Sequence, residues 1–210
     1  DLPSDASGVD ASCLAGDSMI LSTTFLSGYS VDPDGNAAYQ SQPRLYRLDL
    51  DTQKWDTVTA YAPPAYAPQE TPDNIMIPAL CAAPDGGFWA LERTSSYPAS
   101  DGGIISERSG SNSYRLLHFA ADGSLETELL LDSGAISADT FLARMQADSA
   151  GNVYLTDWQY IYIYSADGSY LGSMDGSDRG ADLYNYKDGS VGTLRYTGSG
   201  ALSFCTIDPA

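Results

Sequence analysis

The feature that most constrains the fold is a run of short strands and tight turns in residues 148–172, DSAGNVYLTDWQYIYIYSADGSYLG. Asp148–Asn152 predicts a polar turn, and Val153–Thr156 and Ile161–Tyr164 predict strands. Asp167-Gly168-Ser169 then turns the chain into a third strand, and the preceding FLARMQA adds one more. Four strands within about forty residues are typical of folds built from repeated four-stranded sheets.

The same pattern recurs along the chain. Residues 79–93 (ALCAAPDGGFWALER) and 11–24 (ASCLAGDSMILSTT) align with residues 143–158, and residues 184–196 form a weaker copy. The repetition predicts an all-β fold, a β-propeller of about four four-stranded blades in a single domain. The blades are expected at approximately residues 10–61, 75–132, 140–176 and 182–210.

The last predicted blade is incomplete, because its fourth strand is missing. Either the amino-terminal segment supplies that strand and closes a four-bladed ring, or the chain is a fragment of a larger propeller. Residues 1–9 contain few strand formers, which favours the fragment. Open strand edges then invite self-association.

Residues 143–172 resemble an NHL repeat, whose pattern is a strand, an Asp turn, Gly-Asn-Val-Tyr-Val-x-Asp, an aliphatic and aromatic strand, and Asp-Gly. The resemblance covers this unit well and the other units loosely. The unit lacks the Asn and Arg that usually lie between strands two and three. The resemblance implies the propeller fold; similar propellers of the gluconolactonase type bind a metal at the central mouth, but no site residue transfers by motif.

Charge and composition restrict the partners. The chain has 28 acidic and 10 basic residues and a net charge of −18, which would repel nucleic acid and anionic membranes. No apolar run approaches the roughly 20 residues of a membrane helix, and no export leader is visible. We expect no nucleic-acid binding and no membrane insertion. The low Lys content and the Ser, Thr, Gly and Tyr bias indicate an extracytoplasmic location, within a bacterial surface protein or lipoprotein.

The longest predicted loops all belong to one rim of the sheets. Residues 28–43, 61–73 and 95–113 follow second strands or link one unit to the next, whereas the short turns follow first and third strands. Antiparallel strands place these two sets of connections on opposite rims. Loops that grow on a rigid scaffold often carry function, so the long-loop rim is the predicted binding face.

The ends of the second strands should meet at this rim. The alignment places Thr23, Glu92, Asp157 and Arg195 there in successive units. Acids, arginines and aromatic rings together are suited to a sugar, a peptide or another small molecule. The predicted ligand-binding residues are Glu92, Arg93, Asp157, Trp158, Arg195 and Tyr196. The alternative is that these charges form salt bridges, such as Asp157 with Arg93, while the aromatic rings simply pack.

We predict no catalytic residue, metal or cofactor. Asp32–Asn36 resembles the start of a calcium loop but lacks the Glu that completes it, so a hairpin turn is favoured. His118 has no neighbouring Cys or His in the sequence, which favours a structural side chain. The alternative function is a metal- or carboxylate-dependent lactonase or glycan-cleaving enzyme, with Glu92 and Asp157 as the carboxylate pair.

The three cysteines cannot all pair within one chain. Cys13 and Cys81 occupy equivalent first-strand positions in neighbouring units, where the predicted spacing is too long for a disulfide. A bond between Cys13 and Cys205 would instead link the first unit to the last and would mark a closed four-bladed ring.

Overall fold

A computed structural model describes residues 8–31, 37–63, 74–96, 111–131, 136–137, 139–157, 159–176, 179–196 and 202–208. Every regular element within these residues is a β-strand, so the prediction of an all-β fold is confirmed. No helix that is long and apolar enough to cross a membrane occurs among them.

The strands form four groups, in each of which consecutive strands pair antiparallel. The first strand group consists of β1 (Ala11–Ala15), β2 (Ser18–Val31), β3 (Ala37–Asp49) and β4 (Trp55–Thr57). The second strand group consists of β5 (Asn74–Ala82), β6 (Phe88–Ser96), β7 (Ser111–Phe119) and β8 (Leu125–Leu130). One parallel bridge, between Ser41 and Asn74, joins these two groups into a single eight-stranded sheet.

The other two strand groups form separate sheets. The third strand group consists of β9 (Arg144–Ala147), β10 (Val153–Thr156), β11 (Tyr160–Tyr164) and β12 (Tyr170–Asp175). The fourth strand group consists of β13 (Arg179–Asn185), β14 (Val191–Tyr196) and β15 (Leu202–Thr206). No sheet closes on itself within the described residues.

Five of the described hairpins share one turn geometry. In each, the first turn residue donates its N–H to the residue four positions on and accepts the N–H of the glycine between them. The glycines all have φ between 83° and 88° and are Gly86, Gly123, Gly151, Gly168 and Gly189. This left-handed conformation closes a three-residue hairpin loop, and it explains the repeated Asp-Gly and Ala-Gly pairs of the sequence.

Gly168 shows that the turns also control packing between groups. A Cβ at this position would lie 2.2 Å from Leu129 Cδ1 of the second strand group. The third and fourth groups meet at their turns as well, because the Ser149 N–H donates to the Gly189 carbonyl at 2.8 Å. Glycine is therefore required at Gly168 both by its φ of 84° and by the close approach of the neighbouring sheet.

A separate hydrophobic core lies between each pair of consecutive strand groups. Side chains of β6 alternate between two of these cores, with Phe88 and Ala90 packed towards the first strand group and Trp89 and Leu91 towards the third. Successive residues of a strand point to opposite faces, so a sheet covered on both faces needs an uninterrupted apolar run. The sequence FWAL in β6 is such a run.

The first strands of the four groups follow one another in space. β1 contacts β5, β5 contacts β9, and β9 contacts β13. Cys13 and Cys81 lie in the adjacent strands β1 and β5, and these two residues and Cys205 are free thiols. Burial raises the pKa of the Cys13 thiol to about 12.

We predict that Asp148→Ala strongly destabilises the third strand group. The Asp148 carboxylate accepts the N–H groups of Ala150 at 2.9 Å and Asn152 at 2.8 Å, the Asn152 side-chain amide at 2.8 Å and the Tyr154 hydroxyl at 3.0 Å. Losing the acceptor leaves one buried and three partly buried donors unsatisfied, so the free energy of unfolding should fall by about 2–3 kcal/mol in urea denaturation.

Asp188→Ala is the matched control, because Asp188 occupies an exposed turn, where its carboxylate accepts the Ser190 N–H and hydroxyl. Its expected cost is below about 1 kcal/mol. Equal losses for the two variants would contradict the structural role of Asp148.

Candidate functional site

The predicted site residues lie on the second strands of their groups. Glu92 and Arg93 belong to β6, Asp157 directly follows β10, and Arg195 and Tyr196 belong to β14. Thr23 and Glu92 do not lie at strand ends as the alignment predicted, because β2 continues to Val31 and β6 continues to Ser96. Asp157 does lie at the end of β10. Trp158 and the side chains of Arg195 and Tyr196 fall outside the described part of the chain, as does the Asp32–Asn36 turn.

The Glu92 carboxylate is held inside the protein. Glu92 lies directly opposite Arg115 of β7, and the guanidinium donates to its two oxygens at 2.7 and 2.8 Å. The Tyr61 hydroxyl donates to the same carboxylate at 2.6 Å. Only 1 % of the Glu92 side chain is exposed, so its oxygens are directed to internal partners.

The same ion pair affects Arg115. Hydrogen bonding to Glu92 and, to a smaller extent, to Glu128 raises the pKa of Arg115 above its ordinary value, against the opposing effect of burial. The guanidinium is therefore charged at every physiological pH and keeps Glu92 paired. Glu92 and Arg115 form a cross-strand pair that stabilises the second strand group.

Arg93 packs against Phe141, in the segment that precedes the third strand group. Its guanidinium carbon is 4.0 Å from the centre of the Phe141 ring, an arrangement in which the cation is attracted to the ring face. Arg93 is buried, whereas 46 % of Phe141 is exposed. Arg93 therefore supports one face of the Phe141 ring.

Asp157 organises the short connection between β10 and β11. One carboxylate oxygen accepts the backbone N–H groups of Gln159 at 2.6 Å and Tyr160 at 2.5 Å. The other accepts the Tyr162 hydroxyl at 3.2 Å. The carboxylate thereby fixes two tyrosines that flank the same surface.

A pocket of about 470 Å³ opens at this point of the rim. Its lining comes from the segment before β9 and from the β10–β11 connection, and comprises Ser137, Asp139, Thr140, Phe141, Asp157, Gln159, Tyr160 and Tyr162. Phe141 and Tyr160, 46 % and 40 % exposed, present aromatic surface to solvent. Carboxylate, amide and hydroxyl groups surround these two rings, so the pocket combines stacking surface with hydrogen-bonding groups.

Tyr114 of β7 anchors the segment that carries Phe141. Its hydroxyl donates to the Thr140 carbonyl at 2.8 Å and accepts the Leu142 N–H at 3.0 Å. The Asn112 side-chain amide donates to the same carbonyl at 3.1 Å. Burial raises the pKa of the Tyr114 hydroxyl, so it stays protonated and keeps donating. The pocket is thus built on rigid strands.

Tyr162 is held in the same protonated state. Burial, and then the nearby Asp157 charge, raise the pKa of Tyr162 to about 12. The hydroxyl remains a hydrogen-bond donor at physiological pH and directs its proton to Asp157. The Tyr162 hydroxyl and the Asp157 carboxylate together form one polar wall of the pocket.

Of the pocket residues, the sequence alone identified Asp157. Phe141, Tyr160 and Tyr162 were missed as site residues, although the motifs FLARMQA and WQYIYIY contain them. The available signal was the position of these rings at the ends of predicted strands, on the rim already chosen for binding.

A second cavity, of about 430 Å³, lies between the first strands β1, β5 and β9. It is lined by residues 9–12, 78–80 and 143–146. Arg144 of this lining lies 3.3 Å from Asp182, and both side chains are more than half exposed. The cavity lies where the first strands of three groups run side by side.

Comparisons with known proteins supply no functional family. No protein-family model and no curated protein matches the sequence, so the NHL resemblance stays a prediction. The chain is similar to a structure of a protein of unknown function from Bacteroides caccae, with a TM-score of 0.48, 9 % identity and 95 % of this chain covered. It spans 60 % of the length of that protein.

A second similar structure is TcdA4 of Morganella morganii, with a TM-score of 0.33 and 11 % identity. The similarity covers 93 % of this chain and 7 % of TcdA4.

We predict that Glu92→Gln destabilises the protein by roughly 3 kcal/mol, because it leaves the partly buried Arg115 guanidinium without its main counter-charge. The measurement is the free energy of unfolding in urea. Glu128→Gln is the control: Glu128 pairs with the same guanidinium at 2.5 Å but is 47 % exposed, and its loss should cost less than about 1 kcal/mol. An unchanged free energy of unfolding in Glu92→Gln would show that this carboxylate is dispensable for stability and available for another role.

Proposed function

We propose that the four strand groups are successive blades of a β-propeller, with residues 143–172 as an NHL-like repeat. Three observations support this arrangement: each group is an antiparallel meander, consecutive groups share a core, and β1, β5, β9 and β13 contact one another in order. The fourth group has three described strands. A fragment of a larger propeller and a closed four-bladed ring both remain proposals for the whole assembly.

We propose further that the chain is a non-catalytic binding module of an extracytoplasmic bacterial protein, and that its ligand is a glycan. The observation that supports a glycan is the pocket with the exposed Phe141 and Tyr160 rings beside Asp157. Apolar faces of sugar rings stack on aromatic rings. Carboxylates accept hydrogen bonds from sugar hydroxyls, and side-chain amides both accept and donate them. The pocket lies on the rim predicted from loop lengths.

The charge of the protein is compatible with this ligand. A neutral glycan has no charge to be repelled by a net charge of −18, whereas an acidic peptide or a nucleic acid would be repelled. The proposed extracytoplasmic location rests on the same composition that predicted it, the strong acidity and the low Lys content. A small molecule or a peptide would use the same rings, and the binding experiment below separates these ligand classes.

The alternative of an enzyme that uses Glu92 and Asp157 has less support. The Glu92 oxygens accept bonds from Arg115 and Tyr61, and Asp157 accepts two backbone N–H groups and the Tyr162 hydroxyl. An acid–base pair needs carboxylates that face the substrate and differ in protonation. The Glu92 carboxylate is instead committed to internal partners and is 1 % exposed, so it is not placed to form a catalytic pair with Asp157, which lines the pocket; this supports binding without catalysis by that pair.

We predict that Phe141→Ala and Tyr160→Ala each weaken glycan binding by about tenfold, the effect of losing one stacking ring. Binding would be screened on a glycan array and quantified by affinity electrophoresis in gels containing the soluble polysaccharide. Tyr170→Ala is the control, because Tyr170 on β12 is exposed to a similar degree, 42 %, and does not line the pocket. Retention of a peptide instead of any glycan, or an equal loss in Tyr170→Ala, would contradict the proposal.

Self-association through an open strand edge is a separate proposal. Within the described residues β15 pairs only with β14, and its Phe204 is 65 % exposed. We predict that the purified 210-residue chain is a dimer by light scattering and that Phe204→Asp is a monomer, because a charge on the exposed strand opposes edge pairing. Leu130→Asp, on the exposed face of β8, tests the alternative edge: a monomer in that variant alone would move the interface to β8.

A further inference from the structure

A second cluster of charged side chains lies among the short turns, on the rim opposite the glycan pocket. Asp85 is in the turn between β5 and β6, His118 is on β7, and Glu126 is on β8. Nε2 of His118 is 3.2 Å from an Asp85 oxygen, and Nδ1 is 3.3 Å from a Glu126 oxygen. One candidate ligand atom from each of the three residues lies within 4.8 Å of the other two.

The chain holds two members of this cluster in place. One Asp85 oxygen accepts the Gly87 N–H at 2.9 Å, which directs the other oxygen to the imidazole. The Trp89 ring packs against the His118 ring with a centre-to-centre distance of 4.5 Å. The imidazole is mostly buried, whereas the Asp85 and Glu126 side chains are about half exposed. The cluster therefore consists of a fixed imidazole, a turn-bound carboxylate and a third carboxylate open to solvent.

We propose that Asp85, His118 and Glu126 bind a divalent transition-metal ion of the zinc type. One ring nitrogen and two carboxylates match the ligands of zinc, and the imidazole favours such ions over calcium and magnesium, which take oxygen ligands alone. The separation of 3.2 Å between Nε2 and the Asp85 oxygen is close to that of two neighbouring ligands on one zinc ion with bonds of about 2.1 Å.

Binding requires one exchange at the imidazole. The metal binds the lone pair of Nε2, so any proton carried on that nitrogen before binding is released to solvent. Glu126 either rotates to become the third ligand or stays on Nδ1, where it accepts the remaining N–H and orients the ring. Water completes the coordination, since Glu126 and Asp85 are open to solvent on one side.

This site is independent of the proposed glycan pocket. The two sites lie on opposite rims and share no residue. The sequence favoured a structural His118 because no Cys or His lies near it in the chain. The carboxylates that complete the cluster come from a different turn and a different strand, which become neighbours only through the pairing of β6, β7 and β8.

The test is a zinc titration of the purified chain by isothermal calorimetry, with cobalt(II) absorption as a second readout. We expect about one zinc ion per chain and a cobalt spectrum without the charge-transfer bands of thiolate ligands. His118 is the only histidine, so its imidazole NMR signals report directly on the site and should shift with added zinc. Unchanged imidazole signals, or thiolate bands indicating binding at cysteine, would overturn the proposal.

Three variants distinguish zinc binding at this site from non-specific zinc binding to the acidic surface. Asp85→Asn and Glu126→Gln change half-exposed side chains and should each weaken zinc binding at least about tenfold. His118→Gln should abolish it. Asp17→Asn is the matched control, because Asp17 is an exposed residue in the corresponding turn of the first strand group, and its affinity for zinc should equal that of the unmodified chain. Equal weakening by Asp17→Asn and Asp85→Asn, or no effect of Asp85→Asn, would overturn the proposal.

Discussion

Successive side chains of β10 pack into two different cores: Val153 and Leu155 contact the second strand group, and Tyr154 contacts the fourth. This double burial leaves no solvent-exposed face on the central strands, so polar groups are displaced to the rims. The short turns join neighbouring strands within a group, so they too lie at the rims. The separation of the described part of the molecule into buried sheets and polar rims follows from this packing.

The pocket that we propose binds a glycan depends on that division. Its aromatic rings sit on connections, but each connection is fixed by a group from a strand: Tyr114 of β7 holds Thr140 and Leu142, and Asp157 holds the turn before Tyr160. A binding surface supported in this way is ordered before the ligand arrives, which lowers the entropy cost of binding. Glu92 supports the pocket indirectly, because its pair with Arg115 stabilises the sheet that carries Tyr114.

Local sequence patterns predicted the strands and turns well, but they did not predict contacts between residues that are distant in the sequence. Val153–Thr156 forms β10 as expected, and the Asp-Gly pairs form hairpin turns. The register of β6 against β7, which places Arg115 opposite Glu92, cannot be read from either strand alone. For the same reason Phe141, on a different segment from Asp157, was not recognised as its neighbour.

The five shared turns have a consequence for how such a chain can change in length. Each turn is specified by a few adjacent residues, and the glycines at Gly168 and Gly189 leave room for the Leu129 and Ser149 side chains of the neighbouring groups. A tandem duplication of one unit in the gene would therefore reproduce a working turn without further substitutions. The three cores between the groups contain different side chains. Packing in these cores would therefore determine which unit can lie next to which.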